Sequence, residues 1–257
     1  MALHAYFDGS SMALPGQSWE TGSWITLAGF ATKDSIWKEF TDTWRSLLLP
    51  TATRPGTPYL HMREAAKLIG PFNYRNGWNQ KKLGILVTEL LMYVQTLPKD
   101  RFRQFGCTID LQAYRTLQSG GCRLPSPIEI CNNFCPFTVM AWYFSQYPGI
   151  VSDIHYYFDS DEPFEPAFRE RWQREKSNQL SPGGLDYFWS LVQSVDGAEM
   201  RHNPPLQLAD LLAWGTNRYH SNTADALFKH VEPVMKQIIP SSWIVFDAAT
   251  LSRHFSK

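Results

Sequence analysis

One stretch, LQLADLLAW at residues 206–214, restricts the possible folds of this chain more than any other. Its spacing is that of a helix, and apolar residues occupy most of the circumference around its single charged residue, Asp210. Such a helix is covered by the rest of the protein on most sides, where an unpaired carboxylate costs several kcal/mol. The chain must therefore fold so that Asp210 meets a cation, a basic side chain or a water-filled cleft.

Two further acidic residues each end an aromatic, strand-like run. HAYF precedes Asp8, and IHYYF precedes Asp159. If these strands lie side by side in parallel, their carboxyl ends share one edge of the sheet, and the helix carrying Asp210 closes a cage of three carboxylates. Hard oxygen ligands of this kind suit Mg²⁺ or Mn²⁺. Such ions activate water and stabilise the leaving oxygen in phosphodiester cleavage, so these three aspartates are the candidate catalytic and metal-binding residues.

The other segments predict an α/β protein with a mixed sheet and helices on its faces. Strands are predicted for LHAYFD and SWITLAGFAT, joined as a hairpin by a long loop, and for RFRQFGCTID, SDIHYYFDSDE and LDYFWSLVQSVD. Helices are predicted for DSIWKEFTDTWRSLL with Asp34 as its cap, KKLGILVTELLMYVQTL, FCPFTVMAWYFSQY, PFEPAFRERWQREK and PPLQLADLLAWGTNRY. We expect a single domain over residues 1–257, with a mainly helical insertion at 33–100 and a C-terminal extension at 220–257 that adds a helix and a short final strand.

The charge balance excludes a global attraction to polyanions. Lys and Arg number 24, as do Asp and Glu, so a nucleic acid would have to be bound by a local patch. The first residues lack the basic stretch, apolar core and cleavage site of a signal peptide, and no apolar run approaches the roughly 20 residues of a spanning helix. We therefore expect a cytoplasmic protein with no membrane partner.

Four cysteines are present, which is too few in a chain of this length for a disulfide framework. They are Cys107, Cys122, Cys131 and Cys135. The motif CNNFC with Cys122 nearby could contribute to a zinc site, but no CxxC pair and no neighbouring His completes it. We interpret these cysteines as small buried residues.

Four segments resemble, in their order along the chain, the poorly characterised DUF3800 family: YFDGSS, TIDLQAY, YYFDSDEPF and VDGAEMRHNPPLQLADLLAW. The resemblance spans about Leu3 to Tyr219, and LQLADLLA is its most specific stretch. It implies a ribonuclease H-like fold with a mixed five-stranded sheet, in which the insertion separates strands two and three. It also implies that Asp8, Asp159 and Asp210 bind the metal, from the first strand, the fourth strand and a late helix.

The chain departs from that family at one position and matches it at another. Gly9 stands where the family usually has Glu directly after the first Asp, which removes a possible extra ligand or acid. Asp110 matches a family acid at the end of strand three and is a secondary candidate.

Two other secondary candidates, His61 and Glu64, lie in LHMREAA within the insertion. Either could reach the metal edge as a fourth ligand or a proton carrier, and a surface pair at the start of a helix is the simpler interpretation. Asp161, like its neighbour Glu162, either reaches an ion held by Asp159 or is solvated.

His202 is the last secondary candidate. With Arg201 it lies just before the helix of Asp210, where it either contacts a phosphate or belongs to the loop that starts the helix. In FRERWQREK, basic residues beside an aromatic one could touch a phosphate backbone, but interleaved glutamates favour an exposed, salt-bridged helix. Those residues are Arg169, Arg171, Trp172, Arg174 and Lys176.

Simpler roles remain open for the three aspartates themselves. Asp8 could bond the amides of a turn, because DGSS is good turn chemistry. Asp159 could cap the following helix. Asp210 could form a purely structural pair with an arginine such as Arg218.

The function predicted from the sequence is a metal-dependent nuclease or a related phosphoryl-transfer enzyme, with DNA or RNA as substrate. The competing hypothesis is a non-catalytic module of the same fold that binds nucleic acid or a protein partner. A homo-oligomer also remains open. Gly9 and the neutral net charge favour the module, whereas the carboxylate inside LQLADLLAW favours catalysis.

Overall fold

The computed structural model describes residues 2–11, 22–147, 153–160, 162–178, 185–221, 225–238 and 243–255. In these residues the chain forms a mixed α/β structure. The strands are β1 Leu3–Ser11, β2 Trp24–Lys33, β3 Arg103–Asp110, β4 Ile154–Asp159, β5 Val192–Ala198 and β6 Ile244–Phe246. The helices are α1 Asp34–Leu47, α2 Met62–Lys67, α3 Gln80–Thr96, α4 Leu111–Ser119, α5 Pro127–Gln146, α6 Phe164–Asn178, α7 Leu185–Leu191, α8 Pro204–Ser221, α9 Ala226–Ile238 and α10 Ala248–Phe255.

The strands form one mixed sheet in the order β5-β4-β1-β2-β3-β6. β1 and β2 are antiparallel, as expected, and so are β2 and β3, whereas β4 runs parallel to both β1 and β5. The described sheet has six strands rather than the expected five, because the short final strand β6 pairs in parallel with β3. A mixed sheet flanked by helices is therefore confirmed, and the strand count was wrong.

Aromatic residues fix the register between β1 and β4. Tyr6 stacks on Tyr157 with ring centroids 4.6 Å apart, and His4 stacks on His155 at 4.9 Å. In both cases the two stacked residues lie opposite each other in the register of the parallel strands. Cross-strand ring pairs of this kind stabilise a sheet. The two aromatic runs thus match residue by residue and carry the residues that follow them to the same edge.

Residues alternate between the two faces of β1. Leu3, Ala5 and Phe7 point into a core built with α5, α6 and α7. His4, Tyr6 and Asp8 point to the other face, because successive side chains of a strand alternate. On that face α8 packs across β1 and β2, so Asp8 and the helix that carries Asp210 lie on the same side.

The chain between β2 and β3 carries α1, α2 and α3, in line with the expected helical character of this segment. Its buried aromatic residues, such as Trp37 and Trp44, join α3, α8 and α9 in a second core. Asp34 is the first residue of α1 rather than its cap. A charge there still favours the helix through its dipole.

The stretch LDYFWSLVQSVD does not form one strand. Its first part is the helix α7, and only Val192 onward belongs to β5. Phe188, Trp189 and Leu191 are all buried, and a short continuous apolar run does not distinguish a buried helix from a buried strand. Helices α4 and α10 were also not predicted.

None of the helices in the described part of the chain combines the length and the apolarity that crossing a membrane requires.

Candidate metal centre

Carboxylates from two strands and one turn meet at the carboxyl edge of β1 and β4. Continuing the β1–β4 register by one residue brings Asp8 beside Asp159, and neighbouring strands lie only about 4.8 Å apart. Glu162 reaches them from the turn between β4 and α6. One carboxylate oxygen of each of the three lies within 4.8 Å of the others, a spacing that allows a single cation to contact all three.

Asp210 approaches Asp8 from α8. Every residue of this helix from Pro204 to Asn217 is buried, as its apolar sequence indicated. Asp210 Oδ2 accepts a hydrogen bond of 2.6 Å from the backbone N–H of Met62, and its side chain also contacts Asp8. We call Asp8, Asp159, Glu162 and Asp210 the carboxylate cluster.

Burial dominates the electrostatics of the cluster. It raises the pKa of Asp8 well above the usual value of 3.8, and the charges of Glu162, Asp210 and Asp159 raise this pKa further. Burial also raises the pKa of Glu162 and that of Asp210. Like charges enclosed together favour protonation or a bound cation, so the metal-free cluster holds its protons more tightly than exposed acids do.

One oxygen of the cluster has no partner. Asp8 is 1% exposed, and its Oδ1 is buried without a hydrogen-bond donor among the described residues. By contrast, Glu162 Oε2 accepts a hydrogen bond of 2.6 Å from the backbone N–H of Gly9. Buried polar atoms are nearly always satisfied, and hard carboxylate oxygens are the ligands that Mg²⁺ and Mn²⁺ prefer. The donor set therefore fits such an ion.

His61 of the insertion lies near Asp210 of the cluster, and Glu64 contacts His61. His61 directly precedes Met62, and its charge lowers the pKa of Asp210, against the larger effect of burial. Glu64 accepts hydrogen bonds from the Tyr59 hydroxyl at 2.8 Å and from Arg201 at 3.0 Å. Glu64 Oε1 also lies 3.8 Å from His61 Nδ1. The side chain of Glu64 is thus engaged with three neighbours, while His61 borders Asp210.

Two secondary candidates lie away from the cluster. Asp110 ends β3 at the same edge, but β2 separates it from β1, and its Oδ1 caps α4 by accepting from Gln112 N and Ala113 N. His202 has an 82% exposed side chain and pairs with Glu199 at 3.7 Å. Both have local roles that explain them without a metal.

Glu162 is the member of the cluster that the sequence did not single out from its neighbour. It and Asp161 were expected to be either solvated or within reach of an ion, and Asp161 lies outside the described residues. As a whole residue Glu162 is half-buried, yet its carboxylate is enclosed. Its place three residues after Asp159, in a turn between a strand and a helix, was the available signal.

The basic residues of α6 have local partners. Arg169 pairs with Glu165, Arg171 lies over the rings of Phe137 and Trp189, and Lys176 lies over Trp172. These contacts agree with the salt-bridged interpretation of FRERWQREK.

The remaining alternatives concern Arg218 and the cysteines. Arg218 pairs with Asp225 at 3.4 Å, and its charge lowers the pKa of Asp210 as a minor influence beside burial. Cys107, Cys131 and Cys135 are buried. Burial raises the pKa of the Cys107 and Cys135 thiols well above the usual value, which is typical of inert structural cysteines.

Comparisons with known proteins give no match: no protein-family model, no curated protein and no solved structure matches this chain. The resemblance to the DUF3800 family stays a prediction. A functional proposal for this protein therefore depends on the carboxylate cluster and its surroundings.

Proposed function

We propose that this protein is a metal-dependent nuclease, or a related phosphoryl-transfer enzyme, that binds Mg²⁺ or Mn²⁺ at the carboxylate cluster. The observation that carries the proposal is the buried Asp8, whose Oδ1 lacks a hydrogen-bond partner in the described part of the chain while three other carboxylates surround it. Enclosing several like charges is costly unless a cation compensates them. A structural role alone does not explain why four acids converge there.

Asp8, Asp159 and Glu162 are the proposed ligands, because their oxygens form the compact group. Asp210 is held in place by the Met62 N–H and adds negative charge next to Asp8. A divalent ion bound there supplies an activated water and neutralises charge on a phosphate. Such ions keep several waters and take further ligands from substrate phosphates, which is compatible with the proposed phosphodiester substrate.

His61 is the proposed proton carrier. It stands beside Asp210 with a side chain that is 27% exposed, so it is open to both the cluster and solvent. An imidazole at hydrogen-bond distance can give a proton to a leaving oxygen. Glu64, through its contact with His61 and its bonds to Tyr59 and Arg201, positions this part of the insertion.

We further propose the ribonuclease H-like version of the α/β fold. The support is the placement of the acids: Asp8 lies in the first strand, which continues to Ser11, Asp159 ends the fourth, and Asp210 lies on a late helix. The parallel pairing of β1 with β4 brings the first two together, as that arrangement requires.

The decisive experiment is a Mn²⁺ titration of the wild-type protein, followed by calorimetry and by the loss of the free-ion paramagnetic resonance signal. Asp8→Ala is the control. We expect saturable Mn²⁺ binding by the wild type, competition by Mg²⁺ and a loss of binding in the variant. Equal and negligible binding by both proteins would overturn the proposed metal site.

Cleavage is measured separately, on single-stranded and double-stranded DNA and RNA with and without Mn²⁺. Phosphodiester cleavage that requires the metal and disappears in Asp8→Ala supports the enzyme. Mn²⁺ binding without cleavage of any of these polymers would instead favour the non-catalytic module.

A further inference from the structure

Gly9 occupies a position at which a side chain has no room. A Cβ atom placed on Gly9 would lie 2.8 Å from Glu162 Oε2 and 2.4 Å from Cε2 of Phe164. Distances under 3.0 Å are not tolerated, so both neighbours would have to move. Gly9 therefore leaves the space into which the carboxylate of Glu162 fits.

The conformation of the backbone does not explain this glycine. Gly9 lies within the extended strand β1, and the described glycines with a positive φ are Gly70, Gly77 and Gly121. Any residue can adopt an extended conformation. The requirement at position 9 is thus one of space, on the side of the strand that faces the turn before α6.

Hydrogen bonds and the burial of Phe164 hold the turn that carries Glu162 in place. Phe164 is fully buried, and its carbonyl accepts a hydrogen bond of 3.0 Å from Asn132. The N–H of Glu162 is 3.3 Å from the carbonyl of Asp159. The flexible side chain of Glu162 is therefore the part that yields most cheaply, and it would leave the cluster.

We propose that Gly9 is a positioning residue for the metal site: it leaves room for Glu162 and clamps its Oε2 through the backbone N–H. Glu162 then delivers a carboxylate beside Asp8 that β1 itself does not supply at position 9. This inference rests on the proposed metal site, and the unpartnered Asp8 Oδ1 is the second observation that points to a ligand there.

The test is a cycle of four proteins titrated with Mn²⁺: wild type, Gly9→Ala, Glu162→Gln and the double variant. Glu162→Gln is expected to bind Mn²⁺ at least about 10- to 100-fold more weakly, since the loss of a residue that only orients a metal ligand already costs that much. Gly9→Ala is expected to lose a similar factor. The double variant is expected to bind no more weakly than Glu162→Gln, because Gly9 acts through that carboxylate.

Two outcomes would overturn the inference while leaving the metal site intact. One is a wild-type affinity in Gly9→Ala, and the other is a double variant whose loss equals the product of the two single losses. If the wild type itself fails to bind Mn²⁺, the proposed function fails instead. The two failures are thus distinguishable.

Two additional variants distinguish an effect on the Glu162 carboxylate from an effect on folding. In Gly9→Ala with Phe164→Leu, the conflict with the ring is relieved but the conflict with Glu162 remains, so Mn²⁺ binding should stay weak. If Gly9→Ala does not fold, Glu162→Asp takes its place, because the shorter side chain retracts from the Gly9 N–H. Wild-type Mn²⁺ affinity in either protein contradicts the inference. Glu165→Gln, in the first turn of α6, is the matched control and should bind as the wild type does.

Discussion

The backbone N–H of Met62 donates a 2.6 Å hydrogen bond to Oδ2 of Asp210, which fastens the start of α2 to α8. One acid of the cluster thus has a structural task as well as a charge. Replacing it in two different ways separates the two roles.

Asp210→Asn keeps an acceptor for Met62 and removes the charge. We expect it to keep the free energy of unfolding of the metal-free protein while weakening Mn²⁺ binding. Asp210→Ala also leaves the buried Met62 N–H unsatisfied, which should lower that free energy by about 1–3 kcal/mol. Urea denaturation and a Mn²⁺ titration of both variants measure the difference. A large and equal destabilisation by Asn and Ala would instead indicate a buried ion pair, such as one with Arg218.

The stability of the metal-free protein should fall as the pH rises. Burial raises the pKa values of Asp8, Glu162 and Asp210 in the folded state, so the folded protein holds more protons than the unfolded chain above their usual values. The stabilisation by these bound protons is complete below the usual values, near 3.8 for Asp, and is lost as the pH passes the raised folded values. The slope is about 1.4 kcal/mol per pH unit for each proton involved.

Denaturation in a metal chelator, followed as the pH rises from the usual pKa values of Asp and Glu, measures this slope. Asp8→Asn, which removes one of the titrating groups and its repulsion, should show a shallower fall than the wild type. Identical slopes in the two proteins would mean that the cluster does not govern the pH dependence.

Mn²⁺ binding should strengthen with pH over the same range. The ion must displace protons from carboxylates whose pKa values are raised, so binding releases protons. Calorimetry in two buffers of different ionisation enthalpy counts them. We expect a net release that shrinks as the pH rises, and pH-independent binding without proton release would contradict the raised pKa of Asp8.

His61→Ala tests the proposed proton carrier. If the cleavage of a phosphodiester uses this histidine, its loss should slow turnover by about 10²- to 10⁴-fold. The affinity for Mn²⁺ should stay within a small factor of the wild type, because His61 is not a proposed ligand. His202→Ala is the matched control, since that exposed histidine pairs with Glu199 away from the cluster. Equal rates in both variants would remove His61 from the mechanism.

Asp110→Ala tests whether Asp110 only caps α4 or also takes part in the metal site. Its Oδ1 caps α4 through Gln112 and Ala113, so its loss should destabilise the protein by about 0.5–2 kcal/mol. Mn²⁺ affinity should not change, and Asp110→Asn should recover most of the stability. A loss of Mn²⁺ binding in Asp110→Ala would extend the site to β3.

The sequence predicted the elements whose pattern is unambiguous. Matching aromatic runs before Asp8 and Asp159 indicated two strands with a common edge, and the apolar surroundings of Asp210 indicated a covered helix. The strand signal came from short aromatic runs with clear boundaries, and the helix signal came from an apolar run too long for a strand. The α7 segment is a short continuous apolar run, which does not distinguish a buried helix from a buried strand.

Glu162 was harder to identify because the sequence does not reveal in which direction the side chain of a turn residue points. DSDE offers several oxygens within four residues, and the position of Glu162 depends on the packing of Phe164 and on the space at Gly9. Gly9 was interpreted as the loss of an acid. In the structure it is the residue that accommodates an acid from a distant segment.

The parallel pairing of β1 with β4 has a consequence for synthesis on the ribosome. Gly9 and Glu162 are separated by 153 positions, and parallel pairing over such a distance closes a long loop before any contact compensates the lost entropy. A nascent chain can pair β1 with β2 early, but it has to expose the other edge of β1 until β4 has emerged. During that interval the ion that we propose could not yet assist folding, so the early helices have to shield the first hairpin from aggregation.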